Sequence, residues 1–193
     1  MANSALPGFQ VVQTNTQAVQ RRRVTVVSAG TKLRRGDAVI WGGASIAVAT
    51  TTNVAVAGAL MGGSYVNADS RRVEAPNIPA TTYTGTTIFN PNANYGYIPE
   101  DGVVVTYLAS AAGSALALTD IDLNLIMVLG TTTTKYSDHT LTATSKAVTA
   151  TLPWRLIGFL DSPQSDPDAA TAHCLVKVNA GYFEPALSAS LGV

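Results

Sequence analysis

Apolar residues in this chain recur in short runs with a period of two, and a sustained 3.6-residue period is hard to find. Residues 24–28 alternate and are β-branched. Strand-length runs follow at 38–41, 46–49, 54–61, 64–66, 103–109, 122–129, 154–161 and 173–179. In 122–129, Leu123, Leu125 and Met127 fall on one face and Asn124, Ile126 and Val128 on the other. The second face is too apolar to be fully wet, which makes this a central strand. Glycine, proline and asparagine punctuate the runs, and short alternating strands between such turns predict an all-β fold, a single β-sandwich or β-barrel domain. Residues 109–118 have the spacing of one short helix, weakened by Gly113 and two serines.

Residues 1–22 are polar and glutamine-rich, and read as an extended N-terminal arm with Phe9 as an apolar plug. Residues 23–193 form the β domain, with a long irregular insertion at 76–102 that carries four prolines and three tyrosines. Insertions of that length are usually functional or partner-bound. Residues 32–37 read as a turn in which Gly36 takes positive φ, and Gly62-Gly63 as a bulge or a close backbone approach. The first residues lack the basic and apolar regions of a signal peptide. No run reaches the roughly 18 apolar residues of a membrane span. The expectation is a protein made in the cytoplasm without export, with no membrane partner.

Charged residues make up 12% of the chain, about half the usual share. A surface built from Thr, Ser, Asn, Gly and Ala suits a protein that lies against other proteins. The charges are also sorted along the chain. Residues 1–75 hold eight basic and three acidic residues, a net +5, and residues 76–193 hold four basic and nine acidic, a net −5. Such asymmetry points to a polar partner or to self-association. The single cysteine, Cys174, excludes an intrachain disulfide and lies in an apolar run, as a buried thiol does.

Catalytic constellations are weak. Gly43-Ala44-Ser45-Ile46-Ala47 departs from a nucleophile elbow in its last position, and Ser45 lies between two short strands rather than between strand and helix. His139 sits in a loop-like stretch and His173 opens a strand. Asp120 with Asp122, and Asp166 with Asp168, have oxygen-ligand character but read as ordinary turn residues. No phosphate-cradling glycine pattern occurs. Catalytic, metal and cofactor sites are therefore not expected. Arg21, Arg22 and Arg23 are suited to contacting acidic groups on a protein surface. Nucleic acid is not the expected partner, because the overall pI is near neutral. Tyr83, Phe89, Tyr95 and Tyr97 read as interface anchors, with a carbohydrate platform as the alternative.

The order of segments carries a resemblance. A polar leader ends in Gly8-Phe9, followed by a strand, by Arg35-Gly36-Asp37-Ala38-Val39, and by the stretch from Val56 through Gly62-Gly63-Ser64-Tyr65. Tyr97-Ile98-Pro99, then Trp154-Arg155-Leu156-Ile157-Gly158-Phe159-Leu160, then Val176-Lys177-Val178-Asn179 complete it. This resembles the head decoration (cement) proteins of tailed bacteriophages. The resemblance implies a non-enzymatic, β-rich virion protein on the outer capsid surface. Its partners would be the major capsid protein and its own copies, as a homodimer or homotrimer. In that setting Phe9 and Arg21, Arg22 and Arg23 are candidate arm contacts, and Tyr95 and Tyr97 candidate apolar anchors. The alternative is another virion or surface module, a tail component or a glycan-binding adhesin.

Overall fold

A computed structural model describes residues 6–12, 21–26, 32–42, 45–50, 56–66, 69, 71–80, 94–99, 105–130, 136–148, 152–161 and 169–179. The first half of the chain supplies β1 (Gln10–Val12), β2 (Arg21–Val26), β3 (Leu33–Arg34), β4 (Ala38–Gly42), β5 (Ser45–Val48), β6 (Gly58–Ala59), β7 (Gly62–Val66), β8 (Arg72–Ala75), β9 (Asn77–Ile78) and β10 (Tyr95–Pro99). The second half supplies β11 (Thr106–Ala112), β12 (Asn124–Val128), β13 (Thr140–Ala147), β14 (Trp154–Phe159) and β15 (Thr171–Val178), with one 3-10 turn at Leu118–Asp120. The fold is all-β. Among the described residues no helix is long and apolar enough to cross a membrane.

The last five strands close a barrel in the order β11-β13-β12-β14-β15, and β15 returns to β11. Only the β11–β13 pair is parallel. Period-two alternation fills the interior. Tyr107, Ala109 and Ala111 point inward from β11, Leu125 and Met127 from β12, and Leu141 and Ala143 from β13. Trp154 and Leu156 come from β14, and Ala172, Cys174, Val176 and Val178 from β15. The alanines matter, because a five-stranded barrel is narrow and takes a tryptophan only where facing positions are small.

The other large sheet runs β6-β4-β5-β2-β10-β7-β8, with β3 and β9 paired beside it. Its own core is Leu33, Val39, Ile46, Ala57, Leu60, Ile78 and Ile98. β4 belongs to both cores. Ala38 and Ile40 face the barrel core and Val39 faces the second one.

The seam between the two units is filled by residues 6–12, a strap that contacts both. The Phe9 ring stacks on Trp154 at 4.2 Å between centroids, and Tyr107 meets the same indole edge-on at 5.3 Å. The backbone N–H of Phe9 donates to Gly36 O at 2.9 Å, and that of Gly36 to Leu60 O at 2.8 Å. On the barrel side, Leu6 N donates to Ser110 Oγ at 2.7 Å, and β1 pairs antiparallel with β11. Gly8 takes φ +67°, and a Cβ there would stand 2.5 Å from the Cβ of Ser137, so only glycine fits between strap and loop.

Several expectations change. The segment read as an extended arm contributes a core ring and a barrel-paired strand, and a boundary at residue 22 falls inside β2. Phe9 is 2% exposed, so its ring plugs this chain's own core and is not presented to a partner. The helix at 109–118 is displaced by β11, whose pairing with β15 runs through Ala112. Within the irregular insertion at 76–102, β9 and β10 are ordered strands, and β10 lies inside the sheet between β2 and β7. Gly36 does take positive φ, at +92°. A Cβ on Gly63 would collide with Tyr95 O and Ile78, which bears out the close approach.

If the strap is part of the core, Phe9→Ala costs about 3–5 kcal/mol, the range for emptying a buried aromatic site. Urea unfolding of the two proteins checks this. A loss below about 1 kcal/mol would mean that the strap is an appendage.

Candidate functional site

Four adjacent strands, β2, β10, β7 and β8, build a mixed arginine–tyrosine face. Register places Tyr95 opposite Ser64 and Ser64 opposite Glu74, so alternate residues of these strands share one side of the sheet. The Arg23 guanidinium carbon lies 3.6 Å from the centroid of the Tyr95 ring, and that of Arg72 lies 5.1 Å from it. Arg72 Nη1 also donates to Ser64 Oγ at 3.1 Å. One register step along, the Tyr97 hydroxyl donates to Glu74 Oε1 at 2.5 Å. Its side chain reaches across β7 where Gly62, its direct partner, has no side chain in the way.

The candidates fare differently. Tyr95 is only 8% exposed, with two guanidiniums against its ring, so the solvent-facing groups are the arginines and not the ring expected as an apolar anchor. Arg23 is exposed and Tyr97 half-buried on this face. Arg21 and Arg22 are strand residues opposite Pro99 and Ile98. Tyr83, Phe89, Asp166 and Asp168 lie outside the described residues. Arg72 and Glu74 were missed, although Arg72-Val73-Glu74-Ala75 alternates with period two and is legible as a half-exposed strand.

A second polar cluster lies in the seam. Asp37, Ser137 and His139 are each at most 3% exposed. Asp37 Oδ2 accepts the Arg34 N–H at 2.7 Å, and the Ser137 hydroxyl hydrogen-bonds the same carboxyl. His139 Nδ1 accepts the Ala38 N–H at 3.1 Å, and its Nε2 faces Asp37 Oδ1 at 3.7 Å. Burial pushes the Asp37 carboxyl above its ordinary value, opposed by His139, Ser137 and Arg34. Burial pushes the His139 imidazole below its ordinary value, opposed by Asp37 and Asp138. Serine, histidine and aspartate meet here, but the connections are not those of a nucleophilic triad. The serine serves the carboxylate instead of the imidazole, and a backbone amide occupies the nitrogen that would need to carry a proton. The cluster ties the β3–β4 turn to the loop before β13.

The remaining candidates are engaged in local structure. Asp120 Oδ2 accepts Lys146 Nζ at 2.7 Å and the Ala117 N–H at 2.8 Å. The Lys146 hydrogen bond is the largest of the effects that hold its carboxyl below the usual value. Asp122 pairs with Arg155 at 2.9 Å. Among the described residues no group of three or more metal-ligating side chains forms. Ser45 lies in β5 beside Thr25 of β2 and opposite Gly42, at the other end of β4 from Ala38, whose N–H bonds His139. No family model, no curated protein and no solved structure matches the chain.

Two measurements follow from the buried groups. The unfolded histidine protonates at its ordinary value, near pH 6.5, whereas the folded one resists protonation. The unfolded state thus binds more protons as pH falls through that value, and the His139 contribution to stability shrinks by up to about 1.4 kcal/mol per pH unit. In His139→Gln, whose amide oxygen can still accept the Ala38 N–H, that loss is absent. Urea titrations of both proteins between pH 7.5 and 5 isolate it, and parallel curves would contradict the assignment. The Cys174 thiol, pushed up to about 12 by burial, stays unmodified by iodoacetamide in the native protein and reacts only on unfolding. Native-state alkylation at the unfolded rate would show that the barrel core is open.

Proposed function

We propose that this chain is a structural virion protein that decorates an icosahedral phage head and stabilises it by bridging neighbouring major capsid protein subunits. The observation that carries this reading is the polarity of the body. Among the described residues, the segments up to residue 75, which supply most of the seven-stranded sheet, carry eight basic and three acidic residues, a net +5, whereas residues 105–179, which supply the barrel, carry three basic and four acidic, a net −1. The strap and the Asp37–His139 cluster join them. A staple needs two unlike contact ends, and a basic sheet joined to a nearly neutral barrel is in keeping with that need.

Low overall charge is consistent with surfaces that meet neighbours through polar side chains. Bridging also lets modest contacts add up, because once one end is docked the other binds at high effective concentration. The segmental resemblance to head decoration proteins points the same way.

Quantitative mass spectrometry of purified virions tests the proposal. It expects the chain in fixed stoichiometry with the major capsid protein, and released from the heads by raised salt, since exposed ionic contacts are screened. A few copies per particle, or copies confined to tails, would overturn decoration in favour of a tail component.

A further inference from the structure

We propose that the open edge of β1 and the cleft beside it form a docking site for an extended, acid-bearing segment of a partner protein, which adds to the sheet as a further strand. The inference rests on reading the chain as an interaction protein, and deepens it by naming the surface and the backbone chemistry it uses.

β1 is the terminal strand of its sheet and pairs on one side with β11. A terminal strand presents backbone N–H and C=O groups that another extended chain can pair with. The Phe9 N–H points to Gly36 O. Backbone groups two residues apart on a strand face the same side, so the Val11 N–H and C=O face the side of Gly36 and not β11. Among the described residues no hydrogen bond reaches Val11 from that side. A cleft of about 560 Å³ lies there, lined by Gln10 and Val11 of β1, by Gly36, and by Leu60 and Met61 between β6 and β7. Its size is within the roughly 300–1,000 Å³ of clefts that hold ligands.

The lining selects the occupant. Pro7 and Pro76 are exposed at the cleft, Leu60 and Met61 supply apolar wall, and Tyr136 is 66% exposed beside them. Exposed tyrosine next to a buried apolar wall is the make-up of a surface that anchors an apolar side chain. Arg35 is the one charged residue of the lining, and no carboxylate lines the cleft. The Arg35 side chain is exposed and in no ion pair or hydrogen bond among the described residues, while its backbone N–H is held by Asn77 Oδ1 at 3.2 Å. A peptide strand carrying one aspartate or glutamate meets both the strand edge and the cation. A phosphate backbone has no amides to pair with β1. Pairing of β1 with β1 of a second copy would bring two such arginines to one interface with no lining carboxylate between them.

Selection from a displayed library of random twelve-residue peptides, followed by calorimetry with the soluble consensus peptide, tests the site. The consensus should alternate apolar and polar residues, carry a carboxylate and bind the wild-type chain saturably. Val11→Pro deletes the N–H that faces the cleft and spares the ladder to β11, and should lose at least about fivefold in affinity. Arg35→Gln keeps the backbone bond to Asn77 and should lose at least about tenfold, the scale of one charge-assisted contact. Arg155→Gln, on the barrel, should bind as wild type. Arg35→Gln keeps the test readable if the Val11 variant does not fold. Wild-type affinity in either folded variant, a consensus without a carboxylate, or no enriched peptide would each overturn the proposal. So would a dimer in sedimentation that Val11→Pro dissolves, since a second copy would then be the occupant. The assay contains no virion, so its failure leaves the copy-number result standing, and a failed copy-number result leaves this site standing.

Discussion

The stack of Phe9 on Trp154 is the contact on which the rest of the molecule depends. Trp154 fills the barrel, Phe9 arrives from the N-terminal segment, and the backbone that carries Phe9 is hydrogen-bonded to the turn preceding β4. One aromatic pair thus belongs at once to the barrel, the strap and the second sheet. Stacked aromatics contribute about 0.5–1.5 kcal/mol beyond their buried area. The larger effect is geometric. With the strap in place, Ala38 and Ala59 of the sheet share a core with Leu125 and Val176 of the barrel. The Asp37–His139 cluster ties the same seam with polar groups, where unpaired alternatives would be costly.

Rigidity across this seam gives the charge sorting its meaning. Among the described residues, those up to residue 75 carry net +5 and residues 105–179 net −1, so the seam joins a basic unit to a nearly neutral one. The arginine–tyrosine face lies on the basic unit. Its chemistry is economical, since Arg23 and Arg72 supply charge, Tyr95 supplies the platform and Ser64 sets the angle.

Much of the fold was legible in the alternation. Leu125 and Met127, read as one face of a strand, do line the barrel, the turn at Gly36 takes its positive φ, and Gly63 makes the close backbone approach expected of Gly62-Gly63. The misses have physical causes. β13 (Thr140–Ala147) is threonine-rich and weakly apolar, with only Leu141 and Ala143 buried, so its strand character comes from pairing with β12 rather than from its own pattern. The alanines of β11 read as helix formers because alanine has the best helical propensity, yet the narrow barrel needs their small volume. Phe9 reads as an arm residue because Pro7 and Gly8 break the pattern before it and a glutamine-rich stretch follows, and its true partner, Trp154, is 145 positions away. Long-range pairings of that kind leave no local trace. The Arg23–Tyr95–Arg72 cluster was half visible: Arg23 and Tyr95 were singled out, but their meeting with Arg72 depends on strand order.

Native-state hydrogen exchange at the seam tests the central claim, that strap and seam make one body of two β units. The amide of Phe9 bonds to Gly36 O and that of Ala38 to His139 Nδ1. Both should exchange only through global unfolding, with the same opening free energy as the most protected amides of β11 and β15. Exchange of Phe9 and Ala38 through a much cheaper local opening, with the barrel amides still protected, would contradict the account and leave two independent β units joined by a loose segment.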